Sequence, residues 1–275
     1  MTRCDLCFHR CILEEGQKGV CRARSCKDGV IKCDNYGLIT SAALDPIEKK
    51  PLRHFWPGKT ILSLGSYGCN LRCPFCQNSD ISMTDGTGMR LFHAEPKQIA
   101  RKAWELASQG NIGVAYTYNE PTVGYEFVLD CAKVVRESGM KNVLVTNGSL
   151  LKNPLEKLLP CIDAMNVDLK GFCGDYYRWL GGDLETVKEF ICTSVKAGCH
   201  VEVTTLIVPG KNDSEDEICK LSSWLACLDP QIPLHLSRFF PRYHYQKTEA
   251  TPVATVYRLA EVARRSLRYV YEGNC

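Results

Sequence analysis

The 275-residue sequence carries a net charge of +3 from 34 basic and 31 acidic side chains, a balance that argues against bulk nucleic-acid binding. Its 17 cysteines do not mark a disulfide-stapled secreted fold, since such scaffolds are far shorter and Met1-Thr2-Arg3-Cys4-Asp5 lacks the apolar core of a signal peptide. No apolar run approaches a membrane span, and the length suits one large domain with at most a small appendage, expected in a reducing cytoplasm.

Residues 1–33 form an opening block that holds Cys4, Cys7, Cys11, Cys21, Cys26 and Cys33, the first four in a C-x2-C-x3-C-x9-C pattern. So short a segment buries little apolar surface, which makes a metal staple attractive: zinc or a second iron–sulfur cluster. The alternative is free thiols packed on the main domain. Residues 34–58 read as an irregular or extended link, because Pro46, Pro51 and Pro57 discourage helix. The expected division is therefore a cysteine-rich extension and linker over 1–58 and a main domain over 59–275.

From Thr60 an alternation begins. Thr60-Ile-Leu-Ser-Leu-Gly suits a buried strand, and residues 94–109 show Ile99, Ala103, Leu106 and Ala107 at helical spacing. A strand over Ile112–Tyr118, a helix near 123–138, a strand over Asn142–Thr146 and a short helix near 153–158 follow. Next come a strand over Asp163–Leu169, a helix near 184–197, a strand over Val201–Val208 and a helix opened by the capping box Ser214-x-x-Glu217. Leu234–Phe240 reads as a strand, Pro252 suits the first position of the last helix, and Tyr269–Tyr271 is a final short strand. Strands alternating with long helices imply right-handed βαβ units and a parallel sheet. Six such units are too few for a closed eight-stranded barrel, so an open, partial TIM-like (β/α)6 barrel is expected, with ligands at the C-terminal ends of its strands.

The first of these strands runs into Gly68-Cys-Asn-Leu-Arg-Cys-Pro-Phe-Cys-Gln-Asn78. Cys69, Cys73 and Cys76 are spaced C-x3-C-x2-C, which lets one loop give three thiolates to three irons of a 4Fe-4S cluster and leaves the fourth iron for another molecule. A zinc loop or buried thiols would be the plainer reading, but structural zinc wants four ligands and nothing near Cys76 supplies one. The loop, with Phe75 between the last two cysteines, resembles the radical S-adenosylmethionine (SAM) superfamily, in the branch of pyruvate formate-lyase activating enzyme. Asp45-Pro-Ile-Glu-Lys-Lys-Pro-Leu, His54-Phe55 and the cysteine-rich N-terminus are similar to the radical SAM enzyme of the AmmeMemoRadiSam system. The resemblance runs from about Cys4 to the C-terminus and implies the same partial barrel.

It also implies roles at the later strand ends. Asn119-Glu120-Pro121 looks like a variant of the family's Gly-Gly-Glu-Pro segment at the SAM amino group, though Glu120 would otherwise serve as a helix cap. Thr146 and Asn147 match a Thr-Asn-Gly turn near the cofactor. Val145 stands where the activating enzyme has an aspartate for a monovalent cation, so that site is not carried over. Asp168 and Lys170 share one side of a strand; by resemblance Lys170 reaches the SAM carboxylate and Asp168 orients it, the plainer reading being a structural ion pair. Val208 suits the adenine edge, and Phe75 completes the expected cofactor set. In the last strand and its loop, His235, Arg238, Arg242 and Tyr243 are candidates for SAM or substrate, Arg242 foremost. Cys131, Cys192, Cys219 and Cys227 fall in predicted helices, where a small buried hydrophobe is expected.

The expected activity is reductive cleavage of SAM to a 5'-deoxyadenosyl radical that abstracts hydrogen, with ferredoxin or flavodoxin as electron donor. The target would be a glycyl radical enzyme, or else a small molecule, peptide or protein side chain. A non-enzymatic electron-transfer module has no use for an open iron or for Glu120 and Lys170.

Overall fold

The computed structural model describes residues 1–275. Eight strands form one sheet: β1 (Ser41–Pro46), β2 (Thr60–Gly65), β3 (Asn111–Tyr116), β4 (Lys141–Thr146), β5 (Ala164–Asp168), β6 (His200–Ile207), β7 (Leu234–Arg238) and β8 (Val270–Gly273). They lie side by side in chain order. From β2 to β8 all neighbours are parallel, and β1 runs antiparallel to β2. Because the order never reverses, right-handed crossovers place every helix on the same face and curl the sheet around the other. The edges β1 and β8 do not pair, so the barrel stays open.

The helices are α1 (Pro96–Glu105), α2 (Tyr125–Glu137), α3 (Lys152–Leu158), α4 (Gly174–Trp179), α5 (Leu184–Lys196), α6 (Glu215–Leu228) and α7 (Val253–Arg264). Each long helix buries a stripe at helical spacing; in α2 it is Phe127, Val128, Cys131, Ala132 and Val135. These stripes meet the outer face of the sheet in one continuous apolar core, where each large side chain contributes about 1.5–3 kcal/mol. Ser214 caps α6 by accepting from the Glu217 N–H, as the sequence pattern suggests. Pro252 stands one position earlier than expected, as the cap of α7 rather than its first residue. Cys131 is fully buried, whereas Cys219 and Cys227 are exposed on α6, so burial is not the rule for helical cysteines here.

One expectation is corrected in the N-terminal region. Residues 34–58 are not only a link: Ser41–Pro46 pairs along its length with β2, from Ser41 opposite Gly65 to Pro46 opposite Thr60, so the sheet extends across the boundary at 58. Pro46 is tolerated because it ends an edge strand. The opening block has its own small pairings, Thr2–Arg3 with Ile12–Leu13 and Arg24–Lys27 with Val30–Cys33.

Inside the barrel, the lower layer is apolar. Ile61, Ala115, Val143 and Ala164 from β2 to β5 pack against Ile47 and Leu52, which plug the bottom of the barrel and are 0% exposed. The plug is tied down by Glu202 of β6, itself fully buried. Glu202 accepts from the N–H groups of Arg53 (3.0 Å) and His54 (2.7 Å) and pairs with His235 (2.6 Å) and His200 (3.0 Å). Burial alone would raise its pKa, yet these four partners hold it down to about 2.

Candidate active site

Above the plug, at the C-terminal ends of the strands, lies a cavity of about 810 Å³. It is large enough for a nucleoside-sized ligand with a substrate beside it. One wall is the loop that leaves β2. Gly68 opens it with φ +89°; a Cβ there would meet the Cys21 carbonyl oxygen at 2.6 Å and Ala23 Cβ at 2.8 Å, so only glycine fits. Cys69, Cys73 and Cys76 all face the cavity. Burial pushes the Cys69 thiol well up and that of Cys73 up to about 11, so these groups ionise only beside a strong positive charge. Sulfur donors are in place: the Leu71 N–H and the Asn147 amide approach Cys69 Sγ at 3.4 and 3.7 Å. A cubane would take one thiolate per iron, so each of the three cysteines would hold a different iron. Phe75 is buried between the last two cysteines and meets Phe239 and Tyr245 edge-on at 6.0 and 6.2 Å, which holds the loop's turn.

The turns after β3 and β4 are locked together by Glu120. One carboxylate oxygen accepts from the Thr122 N–H (2.9 Å), the Thr122 hydroxyl (2.5 Å) and the Thr146 hydroxyl (2.8 Å); the other accepts from the Asn147 N–H (2.7 Å). Glu120 thus both lines the cavity and caps the turn beginning at Pro121. Burial raises its pKa against the pull of those bonds. Asn119 ties the same corner to the cysteine loop, donating to the Gly68 carbonyl and accepting from the Ser66 N–H, each at 3.0 Å. Asn147 donates to Asn70 at 2.9 Å, which completes the link between loop and turn.

Asp168, at the end of β5, and Lys170 form a 2.7 Å ion pair on the cavity wall. Burial would lower the Lys170 pKa, but Asp168 and Cys73 more than offset it and keep the ammonium charged. Beside Asp168 in the sheet register, Thr204 lines the same wall, and its buried hydroxyl has no partner. An anchored ammonium and an unmet hydroxyl suit a zwitterionic ligand with a carboxylate.

The remaining wall comes from residues that sequence reasoning did not single out. Asp45 of β1 accepts from Lys50 (2.8 Å) and the Tyr118 hydroxyl (2.6 Å), and Lys50 lies over the Tyr118 ring at 4.6 Å. Burial would raise the Asp45 pKa, yet these two partners hold it well below the usual carboxylate range. Tyr118 adopts φ +74°, the left-handed conformation that glycine takes without strain. Arg53, Leu206, Ser237 and Glu272 complete this side, together with His235, which the sequence had already offered as a candidate. The only signal for Asp45 and Lys50 was the motif wording around Asp45-Pro-Ile-Glu-Lys-Lys.

Other candidates lie elsewhere. Val208 is fully buried against Phe75 and Phe239 and does not reach the cavity; Leu206, two residues earlier on the same face, does. Arg242 is exposed and outside the cavity, Tyr243 is half-buried and also outside it, and Arg238 turns away to donate to the Thr251 carbonyl at 2.6 Å. His235 reaches the wall but is held by Glu202 and stacked on Tyr271. Cys4, Cys7, Cys11 and Cys21 gather at a separate small cavity in the opening block.

An uncharacterized protein of Methanocaldococcus jannaschii, MJ0808, is 42% identical over 276 residues, which span 99% of this chain and 81% of that protein. Pyruvate formate-lyase-activating enzyme of Clostridium pasteurianum is 28% identical over 158 residues, 57% of this chain and 65% of the enzyme. Among solved structures, Streptococcus suis SuiB bound to S-adenosylmethionine superposes with a TM-score of 0.61 at 18% identity, over 78% of this chain and 52% of SuiB, and shares the fold. The family model described as the radical SAM superfamily matches residues 64–224, from the end of β2 into α6. With that match over more than half its length, the chain belongs to the radical SAM superfamily, whose members use a 4Fe-4S cluster and SAM.

Proposed function

We propose that Cys69, Cys73 and Cys76 hold the cluster, that SAM lies between it and the Asp168–Lys170 pair, and that the enzyme abstracts a hydrogen atom from a glycine of a partner glycyl radical enzyme. The observation that carries the reading is the convergence, in one cavity of about 810 Å³, of three thiols, a buried ion pair and the unmet Thr204 hydroxyl. When bound, the cluster supplies the electron that splits SAM into methionine and a 5'-deoxyadenosyl radical, the hydrogen-abstracting species. Lys170 pairs with the methionine carboxylate, and Asp168 keeps the ammonium charged and aimed. Glu120 acts by holding the Thr146-Asn147 turn and the cysteine loop in register. The plug of Ile47 and Leu52 closes the barrel against water from below. The electron comes from a low-potential ferredoxin or flavodoxin, and the hydrogen ends in 5'-deoxyadenosine.

The glycyl target is supported by similarity to the Clostridium activating enzyme. A second reading, a charged small molecule or a peptide side chain, is favoured by the Arg53, His235 and Glu272 wall, which a glycine backbone does not need. Anaerobically reconstituted protein given dithionite and SAM is expected to form 5'-deoxyadenosine; none formed would refute the enzyme reading. A glycine-centred radical signal by electron paramagnetic resonance with candidate partners supports the first target, and its absence together with product formation from a small molecule supports the second.

A further inference from the structure

We propose that Cys4, Cys7, Cys11 and Cys21 form a second metal centre, ligated by four thiolates and seated directly behind the Cys69 loop. Cys21 is ten residues beyond Cys11 in the opening block, and yet the four cysteines line one small cavity. A Cβ added to Gly19 would touch Cys11 Sγ at 3.6 Å and Cys21 Sγ at 3.8 Å, so those two sulfurs stand beside the same point of the chain. Arg24 lines the same cavity, is 6% exposed, and binds Glu126 through its two terminal nitrogens while its buried Nε–H has no acceptor. A metal held by four thiolates carries net negative charge and gives that N–H a sulfur to meet.

The block needs such a tie. Its paired strands are two and four residues long, too little to fix it by backbone bonds alone. Its contacts also show what the centre would do. His9 Nε2 lies 2.8 Å from the Asn70 carbonyl oxygen, Arg22 donates to the Cys69 carbonyl at 3.3 Å, and the Cys21 backbone presses on Gly68. Fixing Cys7, Cys11 and Cys21 to one metal therefore fixes the back of the loop that carries Cys69. The free space is about 10 Å³, that of one small ion, whereas no three thiols yet stand at single-ion spacing. Zinc and an iron–sulfur cluster are both taken by four thiolates. The ligand chemistry is common to both, and the assay separates them.

The test uses the full chain with Cys69→Ala, Cys73→Ala and Cys76→Ala together, purified anaerobically and reconstituted with iron and sulfide or with zinc. Metal and acid-labile sulfide are then counted. About one zinc per chain, or about four irons with matching sulfide, is expected to remain, and to vanish when Cys4→Ser and Cys7→Ser are added. No retained metal, or metal unchanged by those two substitutions, overturns the proposal. Should the triple variant not fold, the unsubstituted chain decides: metal beyond about four irons that is lost with Cys4→Ser and Cys7→Ser supports the centre. A content of about four irons unaffected by them overturns it.

Discussion

Glu202 offers the sharpest test of how the barrel floor is held. Each of its carboxylate oxygens accepts one backbone N–H from the plug segment and one histidine. In Glu202→Gln one oxygen becomes an NH2, and whichever way the amide turns, that NH2 faces the N–H of Arg53 or of His54. A histidine can switch tautomer to accept from it; a backbone N–H cannot. One buried donor is left without a partner, at a cost of about 1–3 kcal/mol. The depressed pKa points the same way: a carboxylate held at about 2 instead of its ordinary 4.5 contributes about 3 kcal/mol when ionised. The folded pKa lies below the unfolded one, so this stability is present above pH 4.5 and is lost as pH falls toward 2. Thermal unfolding of the substituted chain at pH 7 should therefore drop by about 2–6 °C. Between pH 5 and 3 the unsubstituted chain should lose stability more steeply than the variant. A loss below about 0.5 kcal/mol at pH 7, or parallel acid limbs for the two chains, would refute the clamp.

Cys73→Ala should abolish 5'-deoxyadenosine formation, and normal turnover would remove Cys73 from the cluster. Lys170→Ala should weaken SAM binding at least about tenfold by equilibrium dialysis, the worth of one charge-assisted contact; unchanged affinity would leave Lys170 a scaffold residue. Gly68→Ala forces a Cβ against the Cys21 carbonyl oxygen and the Ala23 Cβ at positive φ, and should cost about 1–3 kcal/mol and lower bound iron. Leu52→Ala should cost about 2–5 kcal/mol in urea unfolding, since the fully buried plug side chain leaves a cavity.

The seven parallel strands were legible because each is an apolar run bounded by turn residues, and the cysteine loop because three thiols at fixed spacing have few other uses. Ser41–Pro46 was not legible: it mixes small, apolar and polar residues without alternation and is partly exposed, and its partner strand gives it order that its own pattern does not encode. Val208 suited the adenine edge by its apolarity, but apolarity alone does not say which residue on a strand face stops at the rim and which lies beneath the loop. Arg242 looked functional by charge and position after β7, but the loop carries it outward. Glu202, Asp45 and Thr204 were missed for one reason: a single polar residue within a strand declares its role only when the opposite wall is in place.

Because Ile47 and Leu52 come from a stretch before the first parallel strand, the catalytic half of the molecule has no base of its own. A version trimmed to start at Thr60 would be a hollow funnel, with Ile61, Ala115, Val143 and Ala164 open to water and Glu202 stripped of two donors. Chimeras that transplant this barrel must carry residues 41–58 with it.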